Sequence, residues 1–293
     1  MIKKIWRQLK ARFRKERPLS QQQLKKMRVG EFDIYANETH LLATYIQKFP
    51  SYSQNMHRIA SVIAKFSNHE GAIIDIGANI GDSVALIRSA GVKNPIHCVE
   101  GEQTYFGILK KNQPFFDNVF LHQTFLGEQT EALKGTLASE GGTAGFGTSG
   151  NETIDTITLD DFVKNNNIND LRLLKIDTDG YDLKIIRGGL TSIAQQKPVI
   201  FLEYDPYFLT KNQDDGVSTL QTLAEIGYEK TLFYDNYGRL VVAVDLSNQL
   251  MIKQLHNYVD NRQGAFAYYD ICFFHKDDAK MADDFIESEM KIK

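Results

Sequence analysis

Two periods of hydrophobic and polar residues divide this chain. From residue 72 onward, apolar runs of strand length recur: AIIDI (72–76), PIHCVE (95–100), NVFLHQ (118–123), LRLLKID (171–177), PVIFLEY (198–204), KTLFYD (230–235), RLVVAVD (239–245) and YYDICFFH (268–275). Helical spacing fills the gaps: Val84, Leu86 and Ile87 up to Gly91, then 105–112, then LDDFVKNN (159–166) with Asp160 and Asp161 at its start. A further helix is predicted from Tyr181 to Gly188-Gly189, and another through Leu220, Leu223, Ala224 and Ile226. Strands alternating with helices of about ten residues predict an α/β fold around a mostly parallel sheet with helices on both faces. The later strands have shorter connections and predict an antiparallel edge.

Before residue 70 the pattern differs. Leu41, Leu42, Tyr45 and Ile46, then Ile59, Val62, Ile63 and Phe66, have the spacing of packed helices. His40, His57 and His69 have no ligand-like partner at useful spacing and read as surface or core histidines. In the first seventeen residues, Ile2, Ile5, Trp6, Leu9 and Phe13 form one helical face. Lys3, Lys4, Arg7, Lys10 and Arg14 fill the other, and Pro18 ends the pattern. A Trp-bearing apolar face opposite Lys and Arg describes a helix lying on an anionic membrane surface; packing on the rest of the chain is the alternative. The chain is therefore divided into a basic amphipathic arm (1–28), a helical lead-in (29–70), one large domain (71–276) and a charged tail (277–293).

Charge changes the picture once it is split this way. The whole chain of 293 residues carries a formal net charge of −3. Residues 1–28 hold eleven Lys or Arg and one Glu, a net +10, which leaves −13 on the remainder. An acidic body argues against nucleic acid as a partner, and the basic arm reopens the membrane surface. No apolar run approaches the roughly 18 residues of a membrane span. Cys98 and Cys272 sit in apolar runs as two buried thiols, and no secretory signal is visible, so a cytoplasmic protein, peripheral on the inner face of the membrane, is expected. The segment GGTAGFGTSG (141–150) is expected to be a mobile loop, with a substrate flap as its functional option. Oligomeric state is left open.

Candidate chemistry begins at Asp75. The turn Asp75-Ile76-Gly77-Ala78-Asn79-Ile80-Gly81-Asp82 joins a strand to a helix, where glycine admits close backbone approach and the helix start offers free N–H groups. It lacks both the dinucleotide spacing Gly-x-Gly-x-x-Gly and the Lys-Ser/Thr of a Walker loop. Glu100 ends the next strand, where an acid can accept hydrogen bonds from the ribose hydroxyls of an adenosine; Glu102 is a near alternative. Asp177-Thr178-Asp179 is also a DxD string, which suits a metal-dependent glycosyltransferase, but that reading leaves the glycine turn unexplained.

AIIDIGANIGDSV resembles motif I of class I S-adenosylmethionine methyltransferases. TIDTITLDDF, LRLLKIDTDGYDLKIIRGG and PVIFLEY, in that order, resemble the FkbM family of that class. The family's Lys-Ile-Asp-x-Glu-Gly-x-Glu is here Lys175-Ile176-Asp177-Thr178-Asp179-Gly180-Tyr181-Asp182, with both glutamates shortened to aspartates. The resemblance implies a Rossmann-like fold with a mostly parallel seven-stranded sheet and an antiparallel edge strand. It implies S-adenosylmethionine as cofactor and methyl transfer to a hydroxyl oxygen of a sugar or polyketide. With the basic arm holding the enzyme where lipid-linked acceptors are made, a sugar of a surface polysaccharide or lipopolysaccharide precursor is the preferred acceptor. Asp75, Gly77, Ala78, Asn79, Gly81, Asp82 and Glu100 then bind the cofactor, with Thr124 near the adenine. Asp177, as base or as orienter of the acceptor hydroxyl, is the first catalytic candidate, followed by Glu203, Asp179 and Lys175. No dedicated metal site is expected; a metal-assisted variant would use Asp177 and Glu203. A non-catalytic Rossmann-like scaffold at the membrane is the remaining alternative.

Overall fold

The computed structural model describes residue 19 and residues 23–66, 70–140, 143–212, 214–260 and 266–292, with the backbone alone for 137–140 and 143–150. The arm of residues 1–17 and His69 lie outside the described residues.

A mixed sheet of eight strands forms the centre. Its parallel part contains β3 (Ala72–Ile76), β4 (Ile96–Val99), β5 (Val119–His122), β9 (Leu171–Ile176) and β10 (Val199–Tyr204), in the spatial order β5-β4-β3-β9-β10. β13 (Tyr269–His275) follows β10 antiparallel, β11 (Tyr228–Asp235) pairs antiparallel with β13, and β12 (Leu240–Asp245) closes the edge antiparallel to β11. The sheet thus has one strand more than the seven expected, because Leu240–Asp245 adds outside β11. β3 is buried at all five positions, as a central parallel strand covered on both faces must be.

Each face carries its own core. On one face pack α2 (Gln54–Phe66), α3 (Asp82–Ser89), α4 (Gln103–Asn112) and α11 (Ala279–Glu289), contributing Ile59, Val84, Ile108 and Phe285 among others. On the opposite face pack α5 (Leu159–Asn165), α6 (Asp182–Arg187), α7 (Leu190–Gln196), α8 (Pro206–Lys211), α9 (Gly216–Glu225) and α10 (Gln249–Asp260), through Phe162, Ile186, Ile193, Leu209, Leu223 and Ile252. Both cysteines are free and buried.

Three segments depart from the sequence expectation. The lead-in opens with a hairpin, β1 (Leu24–Val29) and β2 (Phe32–Asn37), before α1 (Leu42–Lys48) and α2. Phe32, Ile34 and Ala36 alternate with period two, and Gly30 supplies the positive φ of the tight turn, so the boundary drawn at residue 28 cuts through a strand. Of the glycine-rich segment expected as a loop, 141–142 lie outside the described residues and 143–150 form part of β8 (Thr143–Thr158), which pairs with β7 (Glu131–Glu140) and β6 (Phe125–Gly127) in a separate three-stranded sheet. Backbone pairing with β7 overrides its low strand propensity. The charged tail contains α11, whose Met281, Ala282 and Phe285 are buried at helical spacing among exposed acids.

Candidate active site

The turn after β3 is shaped by backbone. Gly77 and Ala78 both donate their N–H to the Val99 carbonyl, at 2.9 and 3.0 Å. Gly77 has φ +72°, and a Cβ there would lie 1.8 Å from the Asp177 carbonyl oxygen. Only glycine therefore lets the turn after β3 meet the turn after β9. Gly81 has φ +87° and sits at the N-cap of α3, where a Cβ would press on Leu109.

Beneath these turns, Asp75 is fully buried. Its Oδ2 accepts from Ser83 Oγ at 2.7 Å, and its Oδ1 lies 2.9 Å from Lys175 Nζ. Lys175 also donates to the Gly77 carbonyl at 2.9 Å and lies 3.8 Å from Asp177. Burial works against its charge, but Asp75 and Asp177 hold its ammonium well above the usual lysine range. Asp75 and Lys175 thus brace the floor, and Ala78 is buried with them.

Above the floor lies a cavity of about 280 Å³, across the carboxyl ends of β3, β4, β9 and β10. Gly77, Asn79, Asp82 and Glu100 line one part of it, with Thr124 and Phe125 beside them. Glu100 is buried, with Oε2 accepting from Asn79 N–H and Oε1 from Glu102 N–H. Burial raises its proton affinity to about 7, and that of Asp82 to about 6. Glu102, the near alternative, instead caps α4 by accepting from the Thr104 and Tyr105 N–H groups.

Asp177, Asp179 and Glu203 line the other part together with the Lys175 side chain. The Asp177 side chain is 55% exposed. Asp182 is turned away into its own loop, accepting from Thr178 N–H and Oγ and from Gly180 N–H. That bracing sets the path of 177–182, in which Asp179 and Gly180 both have positive φ. Among the described residues, no group of three or more His, Cys, Asp or Glu is arranged to hold a metal.

Sequence reasoning missed the opposite wall. His40, Tyr52 and Asn55 reach the cavity from the lead-in, and Asn236, Tyr268 and Asp270 from the antiparallel end of the sheet. His40 Nε2 lies 3.2 Å from Asn79 Oδ1, and burial lowers the pKa of its imidazole to about 4. Asp270 stands opposite Glu203 in the β10–β13 ladder. No local motif marks these residues; only the tertiary fold brings them to the site. Of the aromatics at and after the end of β10, Phe208 lines the cavity, Tyr207 is exposed, and Tyr204 is buried against His256.

A parallel sheet with helices on both faces, interrupted by an antiparallel strand and bearing its cavity at the strands' carboxyl ends, is the Rossmann-like fold of class I methyltransferases. The sequence matches the Methyltransferase FkbM domain over residues 75–230, more than half of the chain. This chain belongs to the FkbM methyltransferase family. Among solved structures it is similar to a methyltransferase FkbM from Methylobacillus flagellatus KT, with 16% identity over 71% of this chain and 44% of that one, and a TM-score of 0.43. It thus spans less than half of that protein. It is also similar to a precorrin-6y C5,15-methyltransferase from Geobacter metallireducens GS-15 (14% identity, 75% and 87% coverage, TM-score 0.39). A third is M. capricolum TrmK, solved with its cofactor product S-adenosyl-homocysteine (14%, 74% and 67%, TM-score 0.38). No curated protein matches the sequence.

Proposed function

We propose that this chain is an S-adenosylmethionine-dependent O-methyltransferase whose acceptor is a sugar hydroxyl, in a surface polysaccharide or lipopolysaccharide precursor. The observation that carries the cofactor assignment is Glu100, a buried carboxylate held by two backbone N–H groups and lining the cavity beside the glycine turn. An acid at that strand end suits ribose hydroxyls, and Gly77 keeps the neighbouring wall free of a Cβ. Asn79, Asp82 and Thr124 complete the cofactor side. Asp75, Ala78 and Gly81 shape it from beneath.

When bound, S-adenosylmethionine supplies a methyl group already activated on a sulfonium sulfur. The protein's task is then alignment and proton removal. Asp177, Asp179 and Glu203 border the acceptor end, where Asp177, open and next to Lys175, is suited to orient a hydroxyl. The basic arm of residues 1–17 would hold the enzyme at the inner face of the membrane, where lipid-linked acceptors are accessible. Among the described residues, no helix is long and apolar enough to cross a membrane.

Calorimetry tests the cofactor assignment. S-adenosylmethionine and S-adenosylhomocysteine should both bind, and Glu100→Ala should weaken both. Binding of a nucleotide-sugar with Mn²⁺ in their place would overturn the reading. Mass spectrometry of surface glycans, with and without the gene, should show loss of one methyl group per acceptor.

A further inference from the structure

We propose that Asp270, held by Asn55, is the group that takes the proton from the acceptor hydroxyl. This inference rests on the methyl-transfer reading above and adds a residue outside the matched domain, on a strand that no motif marks.

The geometry starts with Asn55. Its side chain is fully buried at the start of α2, and its Oδ1 accepts from the Met56 N–H at 3.1 Å. That bond fixes which way the amide faces, so its Nδ2 is presented to Asp270 Oδ2, 2.9 Å away. Asp270 is thereby oriented by a donor 215 positions distant in sequence. With Oδ2 committed to Asn55, Oδ1 is left for an incoming hydroxyl. Asp270 lines the cavity directly across the ladder from Glu203, at the level of the strand ends.

Its surroundings suit a base. Facing it are Tyr52 from the segment before α2, Asn55 from α2, Lys175 and Asp177 from the end of β9, Glu203 from β10, Asp235 from the end of β11, and Tyr268 from its own chain. Burial raises its proton affinity to about 7; Asp177 and Asp235 add to the rise, and Asn55 and Lys175 oppose it. A base poised near neutral pH is effective both as acceptor and as later donor to water. Asp177, by contrast, is more than half open and adjoins an ammonium. Tyr52 and Tyr268 are both held protonated by burial, so they can donate hydrogen bonds but cannot take the proton.

The step balances without a further reactant. The acceptor oxygen forms its bond to the methyl carbon as the sulfur–carbon bond breaks. The electron pair of that bond stays on sulfur, which becomes a neutral thioether. The hydroxyl proton passes to Asp270 Oδ1 and leaves later to water.

Three measurements on the full chain test the assignment. First, calorimetry with S-adenosylhomocysteine should give the same affinity for wild type and Asp270→Asn, which also shows that the variant folds. Second, transfer from methyl-labelled S-adenosylmethionine to a panel of methyl glycosides should fall at least about 100-fold in kcat for Asp270→Asn, and Asp270→Glu should recover part of it. Asn55→Ala should move the ascending limb of the rate–pH profile upward, because the bond that lowers the Asp270 pKa is gone. Third, in protein labelled with carbon-13 at the aspartate carboxyls, the resonance missing from Asp270→Asn should titrate near pH 7. Titration of that resonance below about pH 5 would overturn the inference, as would kcat retained within about threefold in Asp270→Asn. If no glycoside is turned over, the carboxyl titration decides. Failure of wild type to bind S-adenosylhomocysteine would instead sink the methyl-transfer reading itself.

Discussion

Lys175 and Asp75 are register partners on neighbouring parallel strands, with Nζ and Oδ1 2.9 Å apart and both side chains nearly without solvent. The pair fixes the floor of the cavity, and Lys175 also contributes to its lining. Lys175→Met would leave Asp75 buried without its cation, at a cost of about 3–5 kcal/mol. Urea denaturation measures it. Adding Asp75→Leu should recover much of the loss, because the uncompensated charge is then removed. A single variant as stable as wild type would show that the pair does not brace the floor.

Gly77 and Gly91 both have positive φ, but they differ in surroundings. A Cβ at Gly77 meets the Asp177 carbonyl at 1.8 Å, whereas one at Gly91 meets nothing within 4 Å. Gly77→Ala should therefore weaken S-adenosylhomocysteine binding by at least about tenfold, or about 1.4 kcal/mol. Gly91→Ala should cost only about 1–2 kcal/mol of stability, with binding unchanged. Equal losses of binding in the two variants would argue against close approach of the turns as the reason for glycine.

Asp182 gives the protein a pH dependence of known sign. Burial, helped by Asp177, raises its pKa to about 7 against the hydrogen bonds from Gly180 and Thr178. The folded state thus holds this proton more tightly than the unfolded chain, whose aspartate titrates near about 3.9. The stability gained is complete below about pH 4 and is lost as pH rises through about 7. Asp182→Asn removes this group's titration. Its urea midpoint, relative to wild type, should therefore rise across that window. A flat or falling difference would contradict the assignment.

The arm can be tested separately from the chemistry. The full chain should sediment with vesicles containing anionic lipid, less strongly as salt rises, and deletion of residues 1–17 should abolish it. Unchanged sedimentation after the deletion would favour packing of the arm on its own chain.

How much of this was legible beforehand depends on how each part of the site is made. On the cofactor side, backbone shape does most of the work, and backbone shape is written in glycine spacing and strand-end acids that are close in sequence. Asp75, Gly77 and Glu100 could therefore be picked out; the structure brings Gly77 and Glu100 to one crevice and buries Asp75 beneath it. Lys175, read as a cavity group, does line the cavity, and its contact with Asp75 makes it a brace as well. The acceptor wall could not be read in the same way. Asn55 lies in an ordinary amphipathic helix, and Asp270 interrupts an otherwise apolar strand. Nothing local says that they meet.

The same separation limited the fold. The central strands announce themselves as continuous apolar runs. The pairing of β7 with β8 runs through a glycine-rich segment whose composition suggests a turn. The last helix hides Met281 and Phe285 among aspartates and glutamates that suggest a solvated tail.

The place of β13 has a consequence for biosynthesis. β13 comes after β10 and β11 in the chain, yet it does not join an edge; it inserts between them, and both leave the ribosome before it. Until it arrives, the sheet has a gap beside Glu203, and the facing edges of β10 and β11 have no strand between them. A nascent chain therefore cannot assemble the acceptor wall, however well its glycine turn has formed. The cavity would be walled on that side only after synthesis has passed residue 275.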